Sequence, residues 1–137
     1  MGMDKNLAQI VRDRAGVRCE YCQMPAALYR TVFHVDHVIA VKHGGITSAE
    51  NLALACLHCN LHKGTDIASL DPQTGALTPL FNPRTDSWSD HFAWSGPSVV
   101  GRTAIGRATV RLLQLNDSLL VAVRESLSGE GMWPLLE

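Results

Sequence analysis

The chain has 137 residues, of which 46% are hydrophobic and 18% charged; this composition supports a folded core and argues against disorder. The formal net charge of −1 excludes the strongly basic composition that would by itself indicate a nucleic-acid partner. No apolar run reaches the roughly 18 residues that a membrane span needs, and the first residues lack the apolar stretch of a signal peptide. We therefore expect a cytoplasmic protein without a membrane partner, whose residues 1–137 form a single domain.

The first half of the chain carries alternating signals for helix and strand. An apolar stripe that ends at Gly16 predicts a helix, and a stretch rich in β-branched and aromatic residues predicts a strand. A pair of glycines then indicates a turn before a second strand and a second helix. The predicted elements are a helix over residues 4–15, a strand over 31–40, a turn region over 42–50, a strand over 52–55 and a helix from 57 to about 70.

The second half has shorter elements and more turn residues. Asp71 to Gly75 predicts a tight turn, because proline fixes one dihedral angle and glycine supplies a positive φ. The predicted elements after this turn are strands over residues 76–81, 91–94 and 98–101, a helix over 103–115, and a last helix that begins after Asp117 and buries Leu119, Leu120, Val123 and Leu127. We expect residues 71–137 to form a C-terminal extension that packs on a core over about residues 17–70.

The four cysteines form two CxxC pairs, Cys19 with Cys22 and Cys56 with Cys59. The thiolates of such a pair both reach one tetrahedral ion, and two pairs complete a closed site. Four protein ligands leave no open position, so a zinc ion held here would be structural. Free buried thiols, a disulfide and an iron–sulfur cluster are the alternatives, of which the disulfide is disfavoured in a cytosolic chain.

Other chemically functional residues are concentrated between the cysteine pairs and just after them. In chain order these are Asp36-His37, Gly44-Gly45, Asn51-Leu52, Cys59-Asn60 and Lys63-Gly64. A lone Asp-His pair occurs often by chance, but the ordered set is specific. Over residues 19–64 it resembles the HNH endonucleases, in the branch whose ββα motif is held by two zinc-binding CxxC knuckles. The rest of the chain looks like a bacterial HNH subfamily of about this size.

The resemblance implies an α+β fold with a ββα-metal core, also called the His-Me finger, flanked by an N-terminal helix and a C-terminal extension of short strands and helices. It further implies a metal-dependent enzyme that hydrolyses DNA phosphodiester bonds. Such a reaction needs an activated water, charge neutralisation at the phosphate and stabilisation of the leaving oxygen. DNA is therefore the expected partner, and we expect no small-molecule cofactor.

Catalytic roles follow from the same resemblance. His37 is implied to be the general base, a role that an imidazole can fill near neutral pH. Asp36 and Asn60 are implied to hold one catalytic divalent cation, Mg²⁺ or Mn²⁺, through oxygen atoms. Many relatives have histidine in place of Asn60, and the amide oxygen shifts the expected preference toward Mg²⁺. Asn51 is implied to pin the loop and help orient the base.

The candidates for contact with nucleic acid are Lys63, His34, Arg107 and Arg111. Lys63 lies one helical turn after the asparagine that ends the motif, so it shares that helix face. His34 lies two residues before the motif's aspartate, and an undistorted strand places both on one face. Arg107 and Arg111 share a predicted helix face, for which simple solvation is the favoured alternative.

Two features of the motif make demands on the structure. Asp36 and His37 are adjacent, so both reach one site only if the strand ends or bulges there. A general base also needs an orienting partner on its other ring nitrogen, for which we expect a backbone carbonyl near Asn51.

Two alternatives to a nuclease remain at this point. The chain could be a non-catalytic zinc-stabilised module that binds nucleic acid, or a scaffolding domain in a larger assembly. Either would keep the cysteines without needing Asp36, His37 and Asn60 together. The sequence leaves the oligomeric state open.

Overall fold

The computed structural model describes residues 4–29 and 31–132 of the chain. Its first element is helix α1 (Lys5–Arg14), which begins after Asp4. The Asp4 carboxylate accepts a hydrogen bond of 2.9 Å from the backbone N–H of Leu7, which satisfies one of the free N–H groups at the helix start. The chain leaves the helix through Gly16, which has a φ of +67°. The first predicted helix is confirmed.

Strands β1 (Phe33–His37) and β2 (Leu52–Cys56) form an antiparallel hairpin, and helix α2 (Leu57–Lys63) follows β2 directly. Every residue of β2 is buried, because α1 packs on this strand as well as α2. This arrangement is the predicted ββα unit, and the α+β fold class is confirmed.

Helix α2 is shorter than the sequence predicted. It ends at Lys63, because Gly64 adopts φ +51° and ψ −128°, a backbone conformation that residues with a side chain rarely adopt. The chain then forms strand β3 (Ala68–Leu70), which pairs with β4 (Leu77–Pro79). The prediction of helix up to residue 70 was therefore wrong.

The remaining elements are helical segments around one hairpin. They are α3 (Trp88–His91), β5 (Phe92–Ser95), β6 (Ser98–Gly101), α4 (Ala104–Leu112) and α5 (Ser118–Gly129), with β5 and β6 antiparallel. Side-chain oxygens of Thr103 and Asp117 cap α4 and α5, the two helices predicted at these positions. Leu119 is 61% exposed and does not join the buried stripe of α5, where Arg124 is buried instead.

Gly106 lies within α4, where glycine weakens a helix. A Cβ at this position would lie 2.0 Å from the carbonyl oxygen of His91. The glycine is therefore required for α4 to approach the chain that leads into β5.

The two halves of the chain share one cluster of buried apolar residues, which includes all four cysteines and leucines of β2, α5 and the segment after α4. Burial of each large apolar side chain contributes about 1.5–3 kcal/mol. Hydrogen bonds also cross between the halves: Trp88 Nε1 donates to the carbonyl of Tyr21 at 2.8 Å, and His58 Nε2 lies 2.9 Å from the carbonyl oxygen of Leu113. No helix in the described part of the chain is long and apolar enough to cross a membrane.

Candidate active site and metal centre

The four cysteines come together in the core from different elements. Cys19 and Cys22 lie in the loop after α1, Cys56 ends β2, and Cys59 lies in the first turn of α2. All four are buried, and their Sγ atoms lie within 4.8 Å of one another. The two predicted CxxC pairs thus form one site.

The spacing of the sulfur atoms fits a single tetrahedral ion. Metal–sulfur bonds of about 2.3 Å give a tetrahedron with edges of about 3.8 Å, and Cys22 Sγ lies 3.7 Å from Cys56 Sγ. A disulfide needs sulfur atoms about 2.05 Å apart, so this pair is not bonded. The backbone N–H groups of Cys22 and Cys59 point at the Sγ atoms of Cys19 and Cys56, at 3.4 and 3.5 Å. The four-cysteine cluster fits a zinc site.

The thiols differ in how easily they lose a proton. Burial disfavours the thiolate of Cys19, but hydrogen bonds from the other three thiols outweigh it and hold the pKa of Cys19 well below its ordinary value. Hydrogen bonding with Cys19, together with burial, raises the pKa of Cys22 and Cys59 well above the ordinary value. Four thiolates can therefore coexist here only when a cation neutralises them.

A second site lies at the other end of the hairpin. Asp36, His37 and Asn60 line one cavity of about 520 Å³ between the end of β1 and α2. The described strands β1 and β2 pair one residue to one residue, with Asp36 opposite Ala53 and His37 opposite Leu52, so no bulge interrupts them. His37 is the last residue of β1, so the end of the strand, and not a bulge, lets both side chains reach the cavity.

The imidazole of His37 is held by a side chain that the sequence did not indicate. Its Nε2 lies 2.8 Å from Oγ1 of Thr47, and its Nδ1 lies 3.8 Å from Oδ1 of Asp36. The expected partner, a carbonyl near Asn51, is not the one observed, because the Asn51 carbonyl accepts a hydrogen bond from the backbone N–H of Val38. Thr47 escaped the sequence analysis because no motif spacing singles it out.

The side chain of Asn51 fastens the loop between the two strands. Its Oδ1 accepts from the backbone N–H of Ile39, and its Nδ2 donates to the carbonyls of Ile39 and Ile46, each at 2.9 Å. Gly45 lets the loop close on this amide, since a Cβ there would lie 2.8 Å from the Asn51 Nδ2. Asn51 is not among the residues that line the cavity, and it holds the segment that carries Thr47.

Lys63 is placed differently from the expected phosphate contact. Its side chain is buried, and its ammonium donates a hydrogen bond of 2.8 Å to the carbonyl of Val38. Burial lowers the pKa of Lys63, while the carboxylates of Asp36 and Asp66 oppose that shift. The ammonium therefore lies inside the protein near the end of β1.

Among the other candidates for contact with nucleic acid, Arg107 forms an ion pair within the protein. Its guanidinium forms two hydrogen bonds with the buried carboxylate of Asp71, at 3.0 and 2.9 Å. This pairing with Arg107, and hydrogen bonds from Gln73 and Thr74, hold the pKa of Asp71 well below its usual range. Arg107 thus forms a structural ion pair, and its predicted contact with DNA stays a prediction. Its neighbour Arg111 is exposed on α4.

His34 points to the same side of β1 as Asp36, since the two lie opposite Ala55 and Ala53 of β2. Its Nε2 is buried, and no hydrogen-bond partner for this atom lies among residues 4–29 and 31–132. His34 is not among the residues that line the cavity, so its predicted nucleic-acid contact stays a prediction.

Glu20 is a structural residue of the first knuckle that the sequence did not single out. Its carboxylate accepts a hydrogen bond from the backbone N–H of Leu54 and pairs with Arg84 of the extension. Burial raises the pKa of Glu20, although its hydrogen bond with Leu54 and the charge of Arg84 oppose the shift. Glu20 thus ties the knuckle both to β2 and to the second half of the chain.

Comparison with known protein families matches residues 19–66 to the HNH endonuclease family. The matched segment contains both cysteine pairs as well as Asp36, His37 and Asn60, the residues that the fold brings together. Comparison with curated proteins and with solved structures found no match. The resemblance of this segment to the HNH endonucleases, noted from the order of its motifs, is confirmed.

Proposed function

We propose that this chain, which contains an HNH endonuclease domain in residues 19–66, is a metal-dependent endonuclease that hydrolyses DNA phosphodiester bonds. The convergence of Asp36, His37 and Asn60 on one cavity carries the proposal. A base and two oxygen ligands on one cavity are the parts that phosphodiester hydrolysis needs, whereas a zinc-stabilised binding module or a scaffold has no use for them.

His37 acts as the general base in this proposal. When Nε2 carries the proton and donates to the Thr47 hydroxyl, 2.8 Å away, the lone pair of the neutral imidazole is on Nδ1. That nitrogen lies on the side of Asp36 and accepts the proton of the attacking water. The hydrogen bond with Thr47 thereby fixes both the tautomer and the orientation of the ring.

Asp36 and Asn60 supply the oxygen atoms for the catalytic cation. Oδ1 of Asp36 accepts a hydrogen bond of 2.8 Å from the backbone N–H of His37, and its side chain is 45% exposed, which leaves Oδ2 available. A divalent cation bound there would neutralise charge on the phosphate and stabilise the leaving oxygen. Because both ligands are hard oxygen atoms, we propose Mg²⁺, with Mn²⁺ as a substitute.

Lys63 is buried next to this site and contacts the backbone at the end of β1. Its ammonium donates a hydrogen bond to the carbonyl of Val38, which fixes the backbone just after the end of β1. We therefore assign Lys63 a positioning role rather than a direct contact with phosphate.

The four-cysteine site has a separate, structural role. We propose that it holds one zinc ion, whose coordination is completed by Cys19, Cys22, Cys56 and Cys59 and leaves no position for substrate. We also propose that residues 1–137 form a single domain, with a core over about residues 17–70 and an extension over about residues 71–137.

The experiment that tests the function is nicking of a supercoiled plasmid by the purified chain. Cleavage should require Mg²⁺, stop on addition of EDTA, and be lost in His37→Ala. A matched control is His62→Ala. His62 lies on α2, where its Nδ1 contacts the carbonyl oxygen of His58, and it is not among the residues that line the cavity. If wild type binds DNA but never cleaves it under these conditions, the non-catalytic module becomes the better account.

A further inference from the structure

Two segments of the chain line the proposed catalytic cavity besides the end of β1. One is formed by residues 40–42, just after β1, and the other includes residues from 60 to 65, at the end of α2. Next to the first segment, His43 Nε2 lies 3.0 Å from the carbonyl oxygen of Thr65, which belongs to the second. This contact joins the two segments, so the loop after β1 is held against the end of α2.

The first segment carries an exposed lysine on a well-ordered backbone. Lys42 lies in the short 3-10 helix Val41–His43, which ends at Gly44 with a φ of +93°. The backbone N–H groups of His43 and Gly45 donate to the carbonyl of Ala40, at 2.9 and 3.1 Å. Lys42 itself is exposed. Because the loop is already ordered, a ligand bound through this side chain does not have to order the backbone as well.

Lys42 is the only lysine or arginine among the described residues that line the cavity. Lys63, which the sequence placed beside a phosphate, is buried, donates to the carbonyl of Val38 and is not among the lining residues. No ion pair engages the Lys42 ammonium within the ranges 4–29 and 31–132. A phosphodiester brings a negative charge to a cavity that already contains the Asp36 carboxylate, so a cation at this place favours its binding.

Exposed apolar side chains line the same cavity on both segments. Val41 is 64% exposed and Leu61 is 68% exposed. A free phosphate ion is polar on every side and gains nothing from such neighbours. In a DNA strand, by contrast, each phosphate lies between two deoxyriboses, whose C–H surface is favourably buried against apolar groups. A cation accompanied by apolar side chains therefore fits a phosphate within a strand better than an isolated phosphate.

We propose that Lys42 binds a backbone phosphate of the DNA strand in the catalytic cavity, the contact that the sequence assigned to Lys63. This inference rests on the proposed endonuclease function and adds to it a residue that holds the substrate. Lys42 neither moves a proton nor binds the catalytic cation in this account. Its loss should therefore weaken the binding of the substrate and leave the chemical step intact.

The salt dependence of DNA binding tests the proposal. A short fluorescein-labelled duplex is titrated with the intact chain without added Mg²⁺, and binding is followed by fluorescence anisotropy. Each phosphate contact contributes about 0.9 to the slope of log K against log salt concentration. Lys42→Met should therefore bind about five- to tenfold more weakly at about 0.1 M salt, with a slope smaller by about one. Lys42→Arg keeps the charge and should retain the wild-type slope. Unchanged affinity and slope in Lys42→Met would overturn the proposal.

Lys5→Met is the matched control for the loss of one positive charge. Lys5 is exposed at the first residue of α1 and is not among the residues that line the cavity. This variant should keep the wild-type affinity and slope. Equal losses in Lys5→Met and Lys42→Met would show a general effect of net charge and would contradict a contact made by Lys42.

Nicking kinetics separate this inference from the proposed function. At saturating Mg²⁺, Lys42→Met should raise KM about five- to tenfold and keep kcat within about twofold of wild type. A lower kcat with unchanged KM would place Lys42 in the chemical step and refute the binding role. If wild type nicks DNA and Lys42→Met keeps its KM, affinity and slope, only the role of Lys42 fails. If wild type shows the Lys42-dependent binding but never nicks, the endonuclease function fails and the DNA contact stands. Wild type that binds no DNA would refute both.

Discussion

The Nε2 atom of His37 lies 2.8 Å from the Oγ1 atom of Thr47, a residue of the loop between β1 and β2. The histidine ends a strand, and the threonine belongs to a loop that the Asn51 side chain fastens at Ile39 and Ile46. Asn51 therefore orients His37 indirectly, through the loop that positions Thr47. The resemblance implied that Asn51 helps to orient the base. In the structure, the contacts from Asn51 to the loop and from Thr47 to His37 could produce that effect.

Replacing Thr47 with Val tests whether the Thr47 hydroxyl orients His37. Valine keeps the volume but removes the hydroxyl, so the imidazole loses the partner that fixes its tautomer. We expect kcat to fall about tenfold, the equivalent of about 1.4 kcal/mol, with KM little changed. Thr47→Ser keeps the hydroxyl and should retain most of the activity. Steady-state kinetics of plasmid nicking give both constants, and a Thr47→Val enzyme with wild-type kcat would exclude the orienting role.

Replacing Cys56 with Ser tests the structural zinc. Each purified wild-type chain should contain about one zinc ion, and the variant should contain far less, because serine is a poor zinc ligand. Since metal binding at such sites is coupled to folding, Cys56→Ser should melt at a much lower temperature or fail to accumulate in soluble form. Metal analysis by mass spectrometry and melting by circular dichroism test this prediction. A zinc-free variant that melts like wild type would refute it.

Exchange of Asn60 for His tests the ligand assignment at the catalytic site. The imidazole nitrogen suits borderline metals better than Mg²⁺, so the ratio of nicking rates with Mn²⁺ and Mg²⁺ should rise in Asn60→His. Asp36→Ala should need a much higher Mg²⁺ concentration for half-maximal activity. Both titrations are made with zinc retained in the cysteine site. An unchanged Mg²⁺ response in Asp36→Ala would remove Asp36 from the metal site.

The ion pair between Arg107 and Asp71 makes a prediction about stability and pH. Asp71→Asn should lower Tm, because it removes the charge of the buried carboxylate that pairs with Arg107. The pKa of Asp71 is well below its ordinary value, so its stabilising effect is complete above about pH 3.9 and is lost only as pH falls below that value. The Tm difference between wild type and Asp71→Asn should therefore be constant from pH 8 to pH 5. A difference that already shrinks between pH 7 and pH 5 would contradict this pairing.

Much of the fold could be predicted from the sequence wherever a local sequence pattern has a known physical cause. The helices that begin near Asp4, Thr103 and Asp117 were predicted, and at each of these residues a side-chain oxygen satisfies a free N–H group of the helix start. The order of the cysteine pairs around Asp36-His37 carried the resemblance to the HNH endonucleases, which implied the ββα core. These features depend on neighbours in sequence or on fixed spacing.

The features that the sequence missed depend on contacts between distant segments. Lys63 was expected to contact a phosphate, but its side chain is buried and its ammonium donates to the carbonyl of Val38. Arg107 was assigned to a helix face, and its partner Asp71 lies in a turn far away in sequence. Arg124 is charged and occupies a core position that an apolar stripe would assign to leucine; its guanidinium lies over the Trp94 ring and donates to the carbonyl of Pro97.

The general-base role of His37 is the central claim, and the dependence of the nicking rate on pH tests it most directly. Wild type and His37→Ala are compared at saturating Mg²⁺ from about pH 5.5 to 8.5, a range across which imidazoles lose their proton. Wild type should gain activity with pH through a histidine inflection. His37→Ala should be about 10²- to 10⁴-fold slower and should lack that inflection, the range expected for loss of one acid–base group. A His37→Ala protein that cleaves at the wild-type rate with the wild-type pH profile would contradict the account.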